Sequence, residues 1–405
     1  MFFNLVKPKG CANGDARLNG LSRVIALLTM VLAADLTQAE WKDPLDSPAL
    51  QTMRAHESLL LDVTRAGNRI VSVGSYGHIV FSDDNGMSWR QSDVPVSVTL
   101  TAVHFSGDRY GWAVGHDGVI LHSSDAGRSW EKQFDGFAAN DAIVRAAKAN
   151  LAKAEDALVA ASDSGNDLRI ENAEMAEEAA SFAVQDAEYD QNTGSTKPFL
   201  DVWFYDANRG FAVGAYGMFF QTLDGGKNWE DVSSRLPNPD RLHLNAITNV
   251  GPTSLAIVGE MGLLLRSDDL GQTWVTQDSP YDGSLFGMVD SGDLQLLFGL
   301  RGHVFRSKDD GITWVELTTG SEQTLLGGVV GNGEALLVGN AGSVVVFNEK
   351  LMAPRSIILG GRKASSSVVE TNDGHFIIVG EAGVKILDAS GELMDLNISM
   401  ATGEE

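Results

Sequence analysis

The chain has 405 residues, 44 of them glycine, and its 54 acidic residues against 30 basic ones leave a formal net charge of −24. So acidic a balance argues against sequence-independent binding of DNA or RNA, which needs basic surface to neutralise phosphates, and it suits a turn-rich β protein with a solvated surface. The single cysteine, Cys11, lies in the N-terminal segment, so a chain that loses this segment has no disulfide to form.

In chain order, Arg17 and Arg23 precede an apolar stretch over 24–34, and Thr37, Gln38 and Ala39 supply small residues at cleavage positions. This reads as an export signal over 1–39, cleaved after Ala39; the stretch is short for a membrane span and polar sequence follows it closely. Cys11 stands upstream of the apolar stretch, where lipid attachment would not use it. After a lead-in over 40–57 no run resembles a membrane helix, and a periplasmic or otherwise exported protein is expected, with a peripheral place at the inner membrane as one option.

From there the chain repeats itself. Gly-x-x-Gly returns seven times, at Gly74/Gly77, Gly115/Gly118, Gly214/Gly217, Gly259/Gly262, Gly299/Gly302, Gly339/Gly342 and Gly380/Gly383. After each of the first five pairs a Trp follows the leading Gly by 15 residues, at Trp89, Trp130, Trp229, Trp274 and Trp314. Between them runs Ser/Thr-x-Asp-x-Gly-x-Ser/Thr/Asn-Trp, carrying Asp84, Asp125, Asp224, Asp269 and Asp309. The start-to-start distances of the glycine pairs are 41, 99, 45, 40, 40 and 41 residues, so an insertion follows the second unit.

Within a unit, short apolar runs such as 69–73 and 78–81 flank the glycine pair and predict a hairpin whose turn needs positive φ. The Asp phrase makes the next turn, its carboxylate accepting backbone N–H bonds, and the Trp opens the strand that follows. An upstream run such as 59–63 completes four short antiparallel strands. Sheets this small bury both faces only by closing into a ring. The expected fold is therefore all-β: a seven-bladed β-propeller with four-stranded antiparallel blades and an inserted α-helical hairpin, with an open β-solenoid as the alternative. Blades 1–2 occupy 58–137, blades 3–7 occupy 199–400, and a tail takes 401–405. The last two units keep the glycine pair and lose the Asp–Trp turn.

The insertion, over 138–198, is rich in Ala and Glu. Helices over 139–161 and 168–189, joined by a polar turn, fit its pattern. Because it connects an outer strand to the next inner strand, it should emerge on the face of the glycine turns, opposite the Asp turns. It could dock a partner, cap the ring, or form an acidic excursion. Twelve acidic residues against four basic ones over 139–192 favour a basic or polar partner over anionic lipid.

For chemistry the residues offer little. One carboxylate per separate Asp turn cannot gather the six or more oxygens that calcium takes, so no metal site is expected and these Asp residues are assigned to turn stability. None of the eight histidines falls in a zinc signature, and no phosphate loop, nucleophile elbow or dinucleotide fingerprint is present. No cofactor and no catalytic residue are assigned; Asp201 and Asp290, beside inner strands, are the weak candidates for a hydrolase. The residues inside the glycine turns remain as a binding face, with Tyr76, Asp117, Tyr216, Met261 and Arg301 as candidate partner anchors.

The Asp phrase resembles the Asp-box of sialidases and other exported glycosidases with BNR repeats, where it marks a blade turn and not an active site. Together with Val-Gly-x-x-Gly, as in 212–217 leading to Trp229, it makes the chain resemble the Ycf48/HCF136 family over about 59–388. That resemblance implies seven-bladed propellers that assist assembly of photosystem II, and, in non-photosynthetic bacteria, accessory proteins associated with RND-type membrane exporters. The photosynthetic members present an arginine-rich patch, from which this acidic chain departs. The resemblance therefore implies a non-enzymatic scaffold or assembly factor for an inner-membrane complex, an RND-family transporter among the candidates. A glycosidase-like hydrolase or a glycan- or small-ligand-binding propeller are the alternatives.

Overall fold

A computed structural model describes residues 42–292, 295–331, 334–347 and 354–401. The proposed signal over 1–39, its cleavage point, Cys11 and the tail beyond Ala401 lie outside the described residues.

Among the described residues seven sheets, antiparallel apart from one added strand, carry the seven glycine pairs. The innermost strand of each touches the innermost strand of the next, and the last, β25 (Ser365–Glu370), touches the first, β1 (Leu60–Ala66), so the ring closes. The second strand of each sheet, for example β2 (Arg69–Gly74), β6 (Gly111–Gly115) and β10 (Gly210–Gly214), is buried along its whole length. A strand covered on both faces reads as a continuous apolar run and not as an alternating one, as the sequence does there.

The core is accordingly seven cores, each shared by two successive sheets. The Trp of each Asp phrase enters the core facing the preceding sheet: Trp130 packs with Val71 and Phe81, Trp229 with Trp112 and Ile120, and Trp274 with Phe211 and Phe219. Phe219 and Trp274 meet edge to face at 5.6 Å. The Asp turn thus serves packing between blades, by fixing where an aromatic side chain of about 200 Å² is buried.

Two of the blades depart from the expected four-stranded pattern. The last sheet has three strands, β25, β26 (Phe376–Gly380) and β27 (Gly383–Leu387), with an isolated bridge between Leu387 and Leu393 in place of a fourth. The first has five, because β28 (Ser399–Met400) adds in parallel to β4 (Ser88–Gln91). The segment after β27 therefore passes from the last blade to the first, and Met394, Ile398 and Met400 pack against the core that joins them. The physical reason is that a ring closed only by side-chain contact has a weak seam. A segment that hydrogen-bonds across it supplies main-chain closure.

Each innermost strand also carries a bulge at the same place, between the pairings of Leu60/Asp62, Leu100/Ala102, Leu244/Ala246, Leu285/Gly287, Leu325/Gly327 and Ser365/Ser367, and opposite Val213/Gly214. Where the extra residue is polar it bonds to the next blade: Thr101 Oγ1 donates to the carbonyl of Phe199 at 2.8 Å, and Asn245 Nδ2 to that of Leu285 at 2.8 Å.

The insertion is a hairpin of two helices, α1 (Gly136–Ser164) and α2 (Asp167–Thr193). Both run beyond the expected 139–161 and 168–189, and the polar turn between them shrinks to Gly165 and Asn166. Asp135 caps α1 by accepting from the Ala138 amide, Gly165 ends it at φ 64°, and Asn166 caps α2 through the Arg169 amide. Ala139, Ala142 and Ile143 of α1 enter the core between the second and third blades. The hairpin root is thus packed, not an excursion.

Candidate partner-binding site

The glycine turns differ from the expected hairpin geometry in where the positive φ falls. In the first six, the leading glycine is extended, as at Gly74 (φ −175°), and positive φ falls on the second residue between the glycines and on the closing glycine. The leading glycine is needed for close approach: a Cβ on Gly74 would stand 2.2 Å from the carbonyl oxygen of Leu59. The closing Gly77 has φ 70°, and a Cβ there would stand 2.1 Å from the carbonyl oxygen of Val96.

The second inner residue is where the sequence placed its candidate anchors. Tyr76, Asp117, Tyr216, Met261 and Arg301 have φ of 58°, 56°, 56°, 51° and 56°, and Ala341 follows at 54°. Left-handed backbone costs a residue with a Cβ about 1–2 kcal/mol. The five candidates therefore occupy the same strained position of five successive blades. Tyr76, Tyr216 and Met261 are 69%, 57% and 73% exposed, Arg301 is exposed, and Asp117 is half-buried. The last pair differs: Gly380 pairs directly with Gly383 in a tighter turn, and Ala382 does not have positive φ.

The helical hairpin emerges on this face. Ser195 Oγ, after α2, donates to the Asp117 carbonyl at 2.6 Å, and a Cβ on Gly118 would stand 2.6 Å from the Cα of Gly136. Between the hairpin and the third blade lies a groove of about 450 Å³, with Ile143, Ala147, Ala183 and Ala187 on one wall and Tyr216, Met218 and Leu236 on the other. Charged groups stand in and beside it. Lys197 pairs with Asp190 and sits 5.5 Å over the Tyr216 ring. His243 meets that ring edge-on at 4.9 Å and lies 3.5 Å from Glu260, the neighbour of Met261. Arg241 lies 4.0 Å from Asp186 of α2. Burial pushes the Asp231 carboxyl up, against the donors of Ser233 and the charges of Arg241 and Lys197. A half-apolar groove of this size with a few charged groups has the dimensions of a ligand site. Lys197, Arg241 and His243 had no motif to mark them.

The Asp residues of the five phrases sit in their turns in one arrangement. Asp84 accepts from the Ser88 amide and hydroxyl at 2.8 and 2.6 Å and from Ser82 Oγ at 2.8 Å. Asp125, Asp224, Asp269 and Asp309 repeat it with Ser129, Asn228, Thr273 and Thr313. Trp89, Trp130 and Trp274 donate from Nε1 to the glycine carbonyl of their own turn. In the last blade Asp388, which no sequence phrase marks, plays a related part by accepting from Ser390 and the Glu392 amide.

The two hydrolase candidates hold different hydrogen-bond partners. Asp201 is half-buried, its carboxyl enclosed by neighbouring atoms, and accepts the amides of Val202 and Ile247, each at 2.8 Å, tying the third blade to the fourth. Burial pushes its carboxyl up to about 7, aided by the Asp62 charge and opposed by both amides. Asp62, which lies in no motif, ties three blades in the same way through Val63, Val103 and Ser367. Asp290 accepts the Gly292 amide at 2.6 Å at the end of β17 (Leu285–Asp290). Among the described residues no group of three or more His, Cys, Asp or Glu side chains could hold a metal, and no helix is long and apolar enough to cross a membrane.

A ring of blades that presents strained, exposed turn residues beside a helical hairpin belongs to the class of propellers of the Asp-box type. The family model described as "Photosynthesis system II assembly factor YCF48" matches residues 49–176 and 183–334, and the chain belongs to that family. A curated relative, the "Photosystem II assembly lipoprotein Ycf48" of Synechococcus sp. (strain CC9902), is 43% identical over 75 residues, which is 18% of this chain. That match spans only 22% of the relative's length. Among solved structures, "YCF48 bound to D1 peptide" superposes with a TM-score of 0.56 at 15% identity, covering 82% of this chain and 93% of that one. "YCF48 from Cyanidioschyzon merolae" gives 0.56 at 13% identity, covering 85% and 99%. Both show likeness of fold.

Proposed function

We propose that this chain is an exported, non-enzymatic propeller that holds a membrane protein while an inner-membrane complex is assembled, with an RND-family transporter as the candidate complex. The observation that carries this reading is the strained position shared by Tyr76, Asp117, Tyr216, Met261 and Arg301, on the face where the hairpin and its groove emerge. The same left-handed backbone recurs in the Asp turns of the other face, at Asn85, Ala126, Leu270 and Asp310, so display rests on the size and exposure of Tyr76, Tyr216, Met261 and Arg301 beside the hairpin. The assembly role comes from the family, and the D1 peptide bound by a YCF48 of like fold supports a polypeptide as the kind of ligand. Placement outside the inner membrane agrees with the description of the Synechococcus relative as a lipoprotein.

The test is mild crosslinking in cells followed by affinity purification from membranes. The intact protein should capture one membrane protein reproducibly, and Tyr216→Ala with Met261→Ala should reduce the yield at least fivefold. Equal yield from both forms, or no membrane protein from either, contradicts the proposal.

A further inference from the structure

Helix α2 has two apolar lines. Ala173, Ala180 and Ala187 recur every seven residues and are the less exposed, Ala187 being buried in the hairpin root. Leu168, Met175, Phe182 and Tyr189 also recur every seven, and are 66%, 55%, 56% and 71% exposed. Phe182 stands two residues from Ala180, which is about 200° round a helix of 3.6 residues per turn. The second line therefore lies on the side of α2 opposite α1 and runs along it for about 30 Å at ~1.5 Å per residue. A large side chain every seven residues, solvated over its full length, is not what the hairpin's own packing requires.

The charge beside this line is one-sided. Asp167–Thr193 contains eight acidic residues and one basic residue, Arg169. Glu188, Asp190 and Asp186 meet Lys148, Lys197 and Arg241 at the hairpin root. Glu171, Glu174 and Glu178 flank Met175 further out, by the same angular reckoning.

We propose that the Leu168–Met175–Phe182–Tyr189 line docks an amphipathic helix of a partner protein, apolar at heptad spacing and flanked by Lys and Arg. The seven-residue period selects a helix, because only a helix wound gently about α2 keeps its own apolar seam in register with the line. The acidic border selects basic flanks, and disfavours both a second copy of this chain, which would set acid against acid, and anionic lipid. This rests on the assembly-factor reading, since it names a contact of that partner. The surface is separate from the turn residues.

The probe is a synthetic 28-residue helical peptide with Leu at the seam and Lys at the flanking positions. It is compared with a peptide of identical composition whose seam is scrambled and with a Glu-flanked version. Binding to the full chain is read by fluorescence anisotropy. The Lys-flanked heptad peptide should bind at least tenfold more tightly than either control. Met175→Gln with Phe182→Gln should lose at least tenfold, with unchanged circular dichroism and melting temperature because both positions are exposed. Equal binding of the scrambled peptide, or no loss in the double variant, overturns the inference. So does binding of phosphatidylglycerol vesicles, or dimer formation in sedimentation, that the double variant abolishes. Should the peptide fail while membrane capture through Tyr216 and Met261 persists, the stripe is wrong and the assembly reading stands.

Discussion

Six residues with a Cβ hold left-handed backbone at one repeated turn position, and four of them, Tyr76, Tyr216, Met261 and Arg301, are large and exposed. Replacing Tyr76 with Gly should therefore raise stability by about 1 kcal/mol, since the strain goes and little burial is lost, while crosslinking to a partner falls. Urea unfolding checks the first half; a loss of stability would mean that the Tyr76 contact with His78, at 6.0 Å between rings, matters more than the strain. Asp201 makes the opposite kind of prediction. Its carboxyl, raised to about 7 by burial, keeps its proton in the folded chain while the unfolded chain has lost it, so stability falls as pH rises from about 4 to 7. Asp201→Asn should flatten that slope in melting temperature against pH, whatever it does to the absolute level. At Asp269 burial raises the carboxyl, but donation from Thr273, Ser267 and Gln272 outweighs it and holds the group at about 2. Its contribution is present above the usual carboxylate range and is lost as pH falls towards 2, and Asp269→Ala should cost about 1–3 kcal/mol at neutral pH. These turn carboxylates were legible in the sequence because a turn leaves a local pattern. Asp62 and Asp201 were not legible as blade ties, since their partners lie on other blades.

Among the elements, the Asp phrase, its Trp and the buried second strand could be read directly, because each unit repeats the same local physics. The seam could not: a two-residue strand, Ser399–Met400, has no periodicity, and its partner lies about 300 residues away. Ending the chain after Leu396 removes the amide bonds from Ser399 to Met87 and from Ala401 to Trp89, and exposes the core that Ile398 and Met400 cover. The expected cost is about 2–4 kcal/mol, with faster hydrogen exchange confined to β4 and the last blade. Uniform exchange across all blades would show that the ring opens as a whole. The helices were legible as helices, yet their seven-residue lines were masked by their own symmetry: apolar residues on opposite faces of α2 cancel, and the helix reads as weakly amphipathic.

For the whole molecule, connectivity decides function more than any single motif. An outer-to-inner connection must leave on the glycine-turn face, so the hairpin, the groove and the strained side chains come together although 139–192 shares no pattern with the repeats. The opposite face presents the Asp turns, with exposed apolar residues of its own at Leu223 and Ile312. The central claim is that the partner meets the first face and not the second. A photo-crosslinking amino acid placed at Tyr216 or Met261, and in parallel at Leu223 or Ile312, tests it in cells. Adducts with one membrane protein from the first two positions only are the predicted result; equal adducts from both faces, or adducts from Leu223 and Ile312 alone, would contradict it.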